Sequence, residues 1–245
     1  MAQMKLRADA SGYFLGYIWW VLEPLLFVGV FYVVFEVLLK TGRGDFLIFL
    51  MCGKLAFIWF SKSVNQAANS ILVNRGLIAN INVPKALFPM AVMHEGLYKQ
   101  STVFMLLFVI LLVRGYAPSL TWMWLLPLVL VNYIMILACG FISSILVCVV
   151  RDFSLVISLF MTFLMFVSGV FWDVRTLPDP QVADRVLAVN PLAFILDAYR
   201  QILLHNTAPD GLHLLLVGLA FAALLAVTAL GMQRSSQYLA LKALT

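Results

Sequence analysis

Charge is what this chain has least of. Among 245 residues, 11% are Asp, Glu, Lys or Arg, whereas 64% are hydrophobic and the mean hydropathy is +1.02. A water-soluble domain needs a far larger polar fraction to cover its surface, so the composition describes an integral membrane protein. The net charge of +5 is small and scattered, which argues against nucleic acid as a partner. Cysteine and histidine are equally scarce. Cys52, Cys139 and Cys148 lie inside apolar runs, and His94, His205 and His213 are dispersed, so neither a disulfide framework nor a metal site is expected. Gly53-Lys54 lacks the rest of a phosphate loop: Ile48 stands where the first glycine belongs, and Leu55 replaces the Ser or Thr. Zinc-protease and paired-carboxylate patterns are missing too, so the chain is not expected to hydrolyse ATP, bind a cofactor or act as an enzyme. The N-terminal MAQMKLRADASGY has no apolar core and does not read as a cleaved signal peptide.

What is present is a set of long apolar runs. A helix crosses the hydrocarbon in about 20 residues, and six stretches suffice: 17–39, 46–72, 86–113, 121–149, 153–172 and 212–232. The fold expected is therefore an all-α membrane protein with six transmembrane helices in one domain over 13–245, preceded by a short segment 1–12. Spans two and three exceed what the hydrocarbon requires, and are expected to carry the connection 74–84 beyond the membrane surface. Basic residues set the orientation. With the N-terminus inside, inner segments carry Lys5, Arg7, Arg75, Lys85, Arg151, Arg234 and Lys242, against Lys40, Arg43 and Arg114 in short outer loops. Both termini are then cytoplasmic.

The only long loop, 173–211, contains two short helices. Residues 184–189 form one, stopped at Asn190-Pro191. PLAFILDAYRQILL forms the other, with Asn190 as cap and Pro191 in its first turn. At about 14 residues the second is too short to cross, so it is re-entrant or interfacial.

Polar residues inside spans are functional candidates when a partner is named. Trp19 and Trp20 read as an interfacial belt, placing Glu23, directly before Pro24, about one turn deep. Lys99 on the third span is its expected partner, with Glu95 at i−4 sharing it; the alternative is that Glu23 snorkels to headgroups. On the second span, Lys54, Ser61, Lys62, Asn65, Gln66 and Asn69 fall within roughly 140° at helical periodicity. A half-polar helix cannot face lipid, so it lines a seam or a water-accessible passage. A polar extension beyond the membrane also explains Lys62 to Asn69, but not the deeper Lys54. Gly140, Ser143 and Ser144 permit close helix packing. Phe160, Phe163, Phe166, Phe171 and Trp172 are core or lipid-facing residues, or a ring that stacks on sugars.

The ordered strings LGYIWWVLEPLL, FLIFLMCGKLAFIWFSKSVNQAANSILVNRGLIANINVPKALFP, VVRDFSLVI, FVSGVFW and NPLAFILDAYRQILL resemble the type-2 ABC exporter permeases. Their polysaccharide branch, which carries O-antigen, capsule and teichoic acid, is the most similar. The resemblance covers nearly the whole chain. It implies a homodimer in the bacterial inner membrane, exporting a lipid-linked glycan with two separate cytoplasmic ATPase subunits that hold ATP and magnesium. It also implies that residues 1–12 form a cytoplasmic interface helix and that Leu15-Gly16 lies near the substrate entry. Arg7, Trp19, Trp20, Glu23 and Lys99 would line that entry, and Arg7, Arg75 or Lys85 would hold a lipid pyrophosphate. Lys54, Trp59, Ser61, Asn65 and Asn69 would line the pore. Asn74, Arg75, Gly76, Asn82, Pro84 and Lys85 would couple to the ATPase, and Trp172, Asn190, Pro191, Tyr199 and Arg200 would form an outer gate within 173–211. A drug or lipid exporter of the same superfamily is the alternative cargo reading. An enzyme acting on lipid-linked sugars would need clustered acids or histidines, and a mere anchor would not need the polar stripe.

Overall fold

A computed structural model describes residues 44–81 and 83–244, together with 32–38 and the isolated positions Leu22, Leu26, Gly29 and Val30. The expected interface helix 1–12 lies outside the described residues, as do 12 of the 23 residues of the expected first span. Within that span, Val33–Leu38 forms a π-helical turn.

Among the described residues nine α-helices follow: α1 (Gly44–Val73), α2 (Arg75–Asn80), α3 (Leu87–Val113), α4 (Leu125–Val149), α5 (Phe153–Val167), α6 (Pro180–Val189), α7 (Pro191–Leu204), α8 (Gly211–Arg234) and α9 (Ser236–Leu244). No strand occurs among the described residues. Among the described residues, four helices are long and apolar enough to cross a membrane: Phe46–Val73, Leu87–Val113, Leu120–Val149 and Gly211–Arg234. The protein is thus a multi-pass membrane protein.

The central element is α1. It packs against α3, α4, α5 and α7, while α8 lies on the far side of α4. Its 30 residues reach about 45 Å at 1.5 Å per residue, well beyond a hydrocarbon thickness of about 30 Å. Close approach of α1, α3 and α4 depends on Gly140, where a Cβ would press into the Met93 sulfur and lie 3.2 Å from the Ala67 Cβ. Ser143 and Ser144 beside it are buried, as small-residue packing requires.

The bundle has two ends. At one, the start of α1 meets the end of α5 and the bent pair α6–α7, whose axes differ by 111° across Asn190; this is the hairpin end. At the other, the end of α1 meets α2 and the start of α5, and α9 packs on α2 and α4; this is the connection end. Both short helices of 173–211 appear where expected, though α6 begins at Pro180, capped by the Asp179 carboxylate.

Two features depart from expectation. The span expected over 153–172 is shorter: α5 has 15 residues, about 22 Å, too little for a full crossing. It stops because Ser168 N closes on Leu164 O and Gly169 adopts φ +72°, a left-handed conformation that glycine reaches without strain. The Trp172 indole then donates back to Phe166 O at 2.8 Å. In addition, α9 follows the last span. It packs on α4 and α2, burying Leu239 and Ala243, and Cys148 Sγ donates to Leu239 O at 3.4 Å.

Candidate functional site

The polar stripe of α1 is the less covered face of an otherwise buried helix. Lys54, Ser61, Asn65 and Asn69 are half-buried and Lys62 and Gln66 exposed, whereas Leu55, Phe57 and Val64 are buried. The amides lie along the helix: Asn65 Nδ2 donates to Ser61 O at 3.0 Å and Asn69 Nδ2 to Asn65 O at 3.2 Å. The Lys54 ammonium sits 5.1 Å from the Phe171 ring centroid, where the π face partly replaces water. Trp59 does not belong to this face. It is 3% exposed, stacked on Tyr133 and set edge-on to Phe104, so its role as a pore-lining residue is corrected to one of interior packing. It lies in a run of rings from His94 through Tyr133, Trp59 and Phe104 to Tyr199.

On α3, Lys99 Nζ meets Glu95 Oε1 at 2.6 Å, the i,i+4 pairing that the spacing predicts. Glu95 is 7% exposed, and the Lys99 contact offsets part of the cost of burying the carboxylate. Glu23 lies outside the described residues, as do Arg7, Leu15, Gly16, Trp19 and Trp20.

At the connection end, Asn74 Nδ2 donates to Ser70 O at 2.6 Å, and the Asn74 carbonyl receives Leu77 N and Ile78 N. The turn from α1 into α2 is therefore tight. Arg75 and Gly76 are exposed, as is Pro84, while Asn82 lies outside the described residues. Lys85 differs from expectation. It is 4% exposed, with its ammonium donating to Val83 O at 2.9 Å, so it braces the connection from within and does not offer a charge to a ligand. Arg75 remains available on the surface.

At the hairpin end, Asn190 caps α7 by accepting from Leu192 N and Ala193 N, both at 3.1 Å. Its Nδ2 reaches Ser168 Oγ at 3.0 Å, and Pro191 occupies the first turn. Tyr199 and Arg200, expected at an outer gate, are 1% and 3% exposed. Every residue from Leu192 to Arg200 is buried, because α7 inserts among α1, α4 and the end of α5 and is not lying on a surface. Trp172 is half-buried and caps α5 as described above.

The family profile of the ABC-2 type transporters matches residues 6–204. This chain belongs to the ABC-2 type transporter family. It is similar to a Myxococcus xanthus protein named O-antigen export system permease protein RfbA, 29% identical over 86% of this chain and 81% of that one. Two Klebsiella pneumoniae proteins of the same name are 27% and 25% identical, each across 83% of this chain, covering 78% and 77% of theirs.

In this ABC-2 protein the hairpin end carries contacts that sequence spacing alone does not suggest. Arg175 donates through Nε and Nη2 to the Asp197 carboxylate at 2.8 to 3.1 Å, and Gln201 Nε2 donates to the same group at 2.7 Å. Asp197 is buried and Arg175 half exposed. The hydrogen bond that Arg175 donates to Asp197 holds its guanidinium above its ordinary range, outweighing the opposing effect of burial. A guanidinium held this way stays charged through neutrality, so the pair is not lost there through Arg175. The 22-residue separation of the partners carries no local signal. Among the described residues no three His, Cys, Asp or Glu side chains converge to hold a metal. The arrangement offers hydrogen-bonding surface and rigid connections; family membership makes it a transporter rather than a catalyst.

Proposed function

We propose that this chain is the membrane-spanning permease subunit of an exporter for an O-antigen-like, lipid-linked polysaccharide. It works as a homodimer in the bacterial inner membrane with both termini in the cytoplasm, and two separate ATPase subunits bind ATP and magnesium. The observation that carries this reading is the polar stripe of α1 within an ABC-2 fold whose relatives bear the name of O-antigen export permeases. A passage for a hydroxyl-rich polymer needs side-chain amides and hydroxyls spaced along a wall, and Ser61, Asn65 and Asn69 repeat at one helical turn. Lipid alone would leave those groups unsatisfied.

In this reading the connection end faces the cytoplasm. There α2, with Arg75 exposed, is the element that docks in the ATPase, and Asn82 lies in the same connection. The short α5 and the inserted α7 form the periplasmic side, where Trp172 and the Asn190-Pro191 elbow border the exit. Glu23, Lys99 and the tryptophan pair flank lateral entry from the bilayer, with Arg7 nearby.

The test is complementation in a strain deleted for this gene. The permease is purified with its partner ATPase, and surface polymer is followed by electrophoresis. Wild type restores long-chain polymer and co-purifies with the ATPase. Undecorated lipid-linked polymer accumulating in the cytoplasm despite normal permease levels would refute the assignment.

A further inference from the structure

Arg200 is the most deeply engaged cation of the hairpin end. It is 3% exposed, yet no carboxylate lies within salt-bridge distance of it among the described residues. Its guanidinium donates to three main-chain carbonyls: Nη1 to Gly169 O at 2.7 Å, Nη2 to Val170 O at 3.0 Å and Nε to Phe49 O at 3.3 Å. Its Cζ also lies 3.6 Å from the Phe49 ring centroid. Two glycines make this geometry possible. Gly169, at φ +72°, turns the chain at the end of α5, where helix-terminal carbonyls attract a cation. Gly53 leaves a notch in α1. A Cβ there would overlap Arg200 Nη2 and stand 2.8 Å from Cζ, so only glycine lets the fork reach the Phe49 carbonyl one turn earlier.

One side chain of α7 is therefore bonded to the main chain of both α1 and the α5 turn. Between this contact and the opposite end, α1 runs unbroken to Val73 and passes through the Asn74 turn directly into α2. We infer that Arg200, seated in the Gly53 notch, is a positioning residue that locks the hairpin to α1, so that displacement of α2 is transmitted along one rigid strut to the hairpin. The lock rests on the proposed function for its input, since the partner ATPase moves α2. Its geometry does not depend on which cargo is carried. Arginine suits the role because its planar fork matches several fixed acceptors at once, whereas lysine supplies a point charge.

The experiment compares full-length wild type, Gly53→Ala, Arg200→Lys, Arg200→Met and the double variant Gly53→Ala/Arg200→Met, each in sealed proteoliposomes with the partner ATPase. Amide hydrogen exchange is followed over 191–204, and polymer export and ATP hydrolysis are measured together. Gly53→Ala and Arg200→Met should each accelerate exchange in 191–204 at least tenfold and cut export about tenfold, while hydrolysis stays above half. Arg200→Lys should fall between wild type and Arg200→Met. The double variant should be no worse than Arg200→Met alone, because both changes break one contact. Wild-type exchange and export in Gly53→Ala would overturn the lock. So would multiplicative losses in the double variant, or export and hydrolysis falling in equal proportion, which a merely structural role produces. If Arg200→Met does not fold, Gly53→Ala and Arg200→Lys decide, because both retain a cation. If wild type exports no glycan, the proposed function fails while the exchange arm still judges the lock.

Discussion

The two ends of the bundle use basic residues in opposite ways. At the hairpin end two arginines are consumed internally, Arg200 by three carbonyls and Arg175 by a buried carboxylate, while Arg185 on α6 is exposed. At the connection end Arg75, Arg151 and Arg234 are exposed, and the contacts described there join amides, a hydroxyl and a thiol to nearby acceptors. Lys85 is the exception, folded inward onto Val83. Polar groups buried away from water must be satisfied within the protein, and once satisfied they specify a single arrangement. Exposed arginines contribute little to the fold and remain free to bind something else. The hairpin end is thus constructed to hold its shape, and the connection end to meet a partner.

The largest effect that tests this contrast is loss of the Arg175 side chain. Arg175→Ala would strip the Asp197 carboxylate of three of the hydrogen bonds it accepts, leaving a group that is 6% exposed mainly on Gln201. After allowance for solvent around the half-exposed guanidinium, the expected cost is about 2 kcal/mol, read as a lower melting temperature in detergent. Asp197→Asn in the same background should recover part of it, because the neutral amide no longer needs a counter-charge. A melting temperature unchanged by Arg175→Ala would mean that the hairpin end is held by apolar packing alone.

Next in size is Asn190→Ala. It removes the cap of α7 and the bond to Ser168 together; the expected loss is about 1 to 2 kcal/mol, at the upper part of the range for helix caps. Asn190→Asp keeps the cap oxygen but not the amide donor. It should cost less, and the difference between the two variants measures the tie to α5.

How much of this was legible beforehand depends on whether the signal was local. The Asn190-Pro191 start of α7 was, because cap and first-turn proline are adjacent in sequence. So was the α1 stripe, which follows helical period, and the Glu95–Lys99 pair at i,i+4. Arg200 was not. Asp197, Arg200 and Gln201 give α7 an amphipathic pattern, which reads as a surface helix, but two of the three are buried against partners brought in from elsewhere along the chain. The short α5 was hidden for a related reason: its apolar run continues through Phe171, and only the Gly169 turn stops the helix. Trp59 is interspersed among the polar residues in sequence but faces Tyr133 and Phe104 in space. Burial of Lys85 depends on how the connection folds, which composition does not reveal.

At the connection end the expected stability effects are smaller. Asn69→Ala removes one side-chain bond to Ser154 at 3.1 Å, between the end of α1 and the start of α5. A half-buried neutral bond of this kind contributes about 1 kcal/mol. Hydrogen exchange should rise near residue 154 and stay unchanged in 191–204. Acceleration reaching the hairpin would show that the two ends are not independently held.

The smallest stability effect should accompany a large functional one. Arg75 is exposed and opens α2, and truncating an exposed arginine usually shifts stability by within about 0.5 kcal/mol. If this end exists to meet a partner, Arg75→Ala leaves the melting temperature in place yet weakens co-purification of the ATPase or its stimulation by the permease. Arg75→Lys should restore most of either loss, since an exposed docking charge needs sign more than fork geometry. The opposite result, normal ATPase association together with a clear fall in melting temperature, would mean that Arg75 serves the fold after all. The contrast between the two ends would then have to be drawn from packing and not from charge.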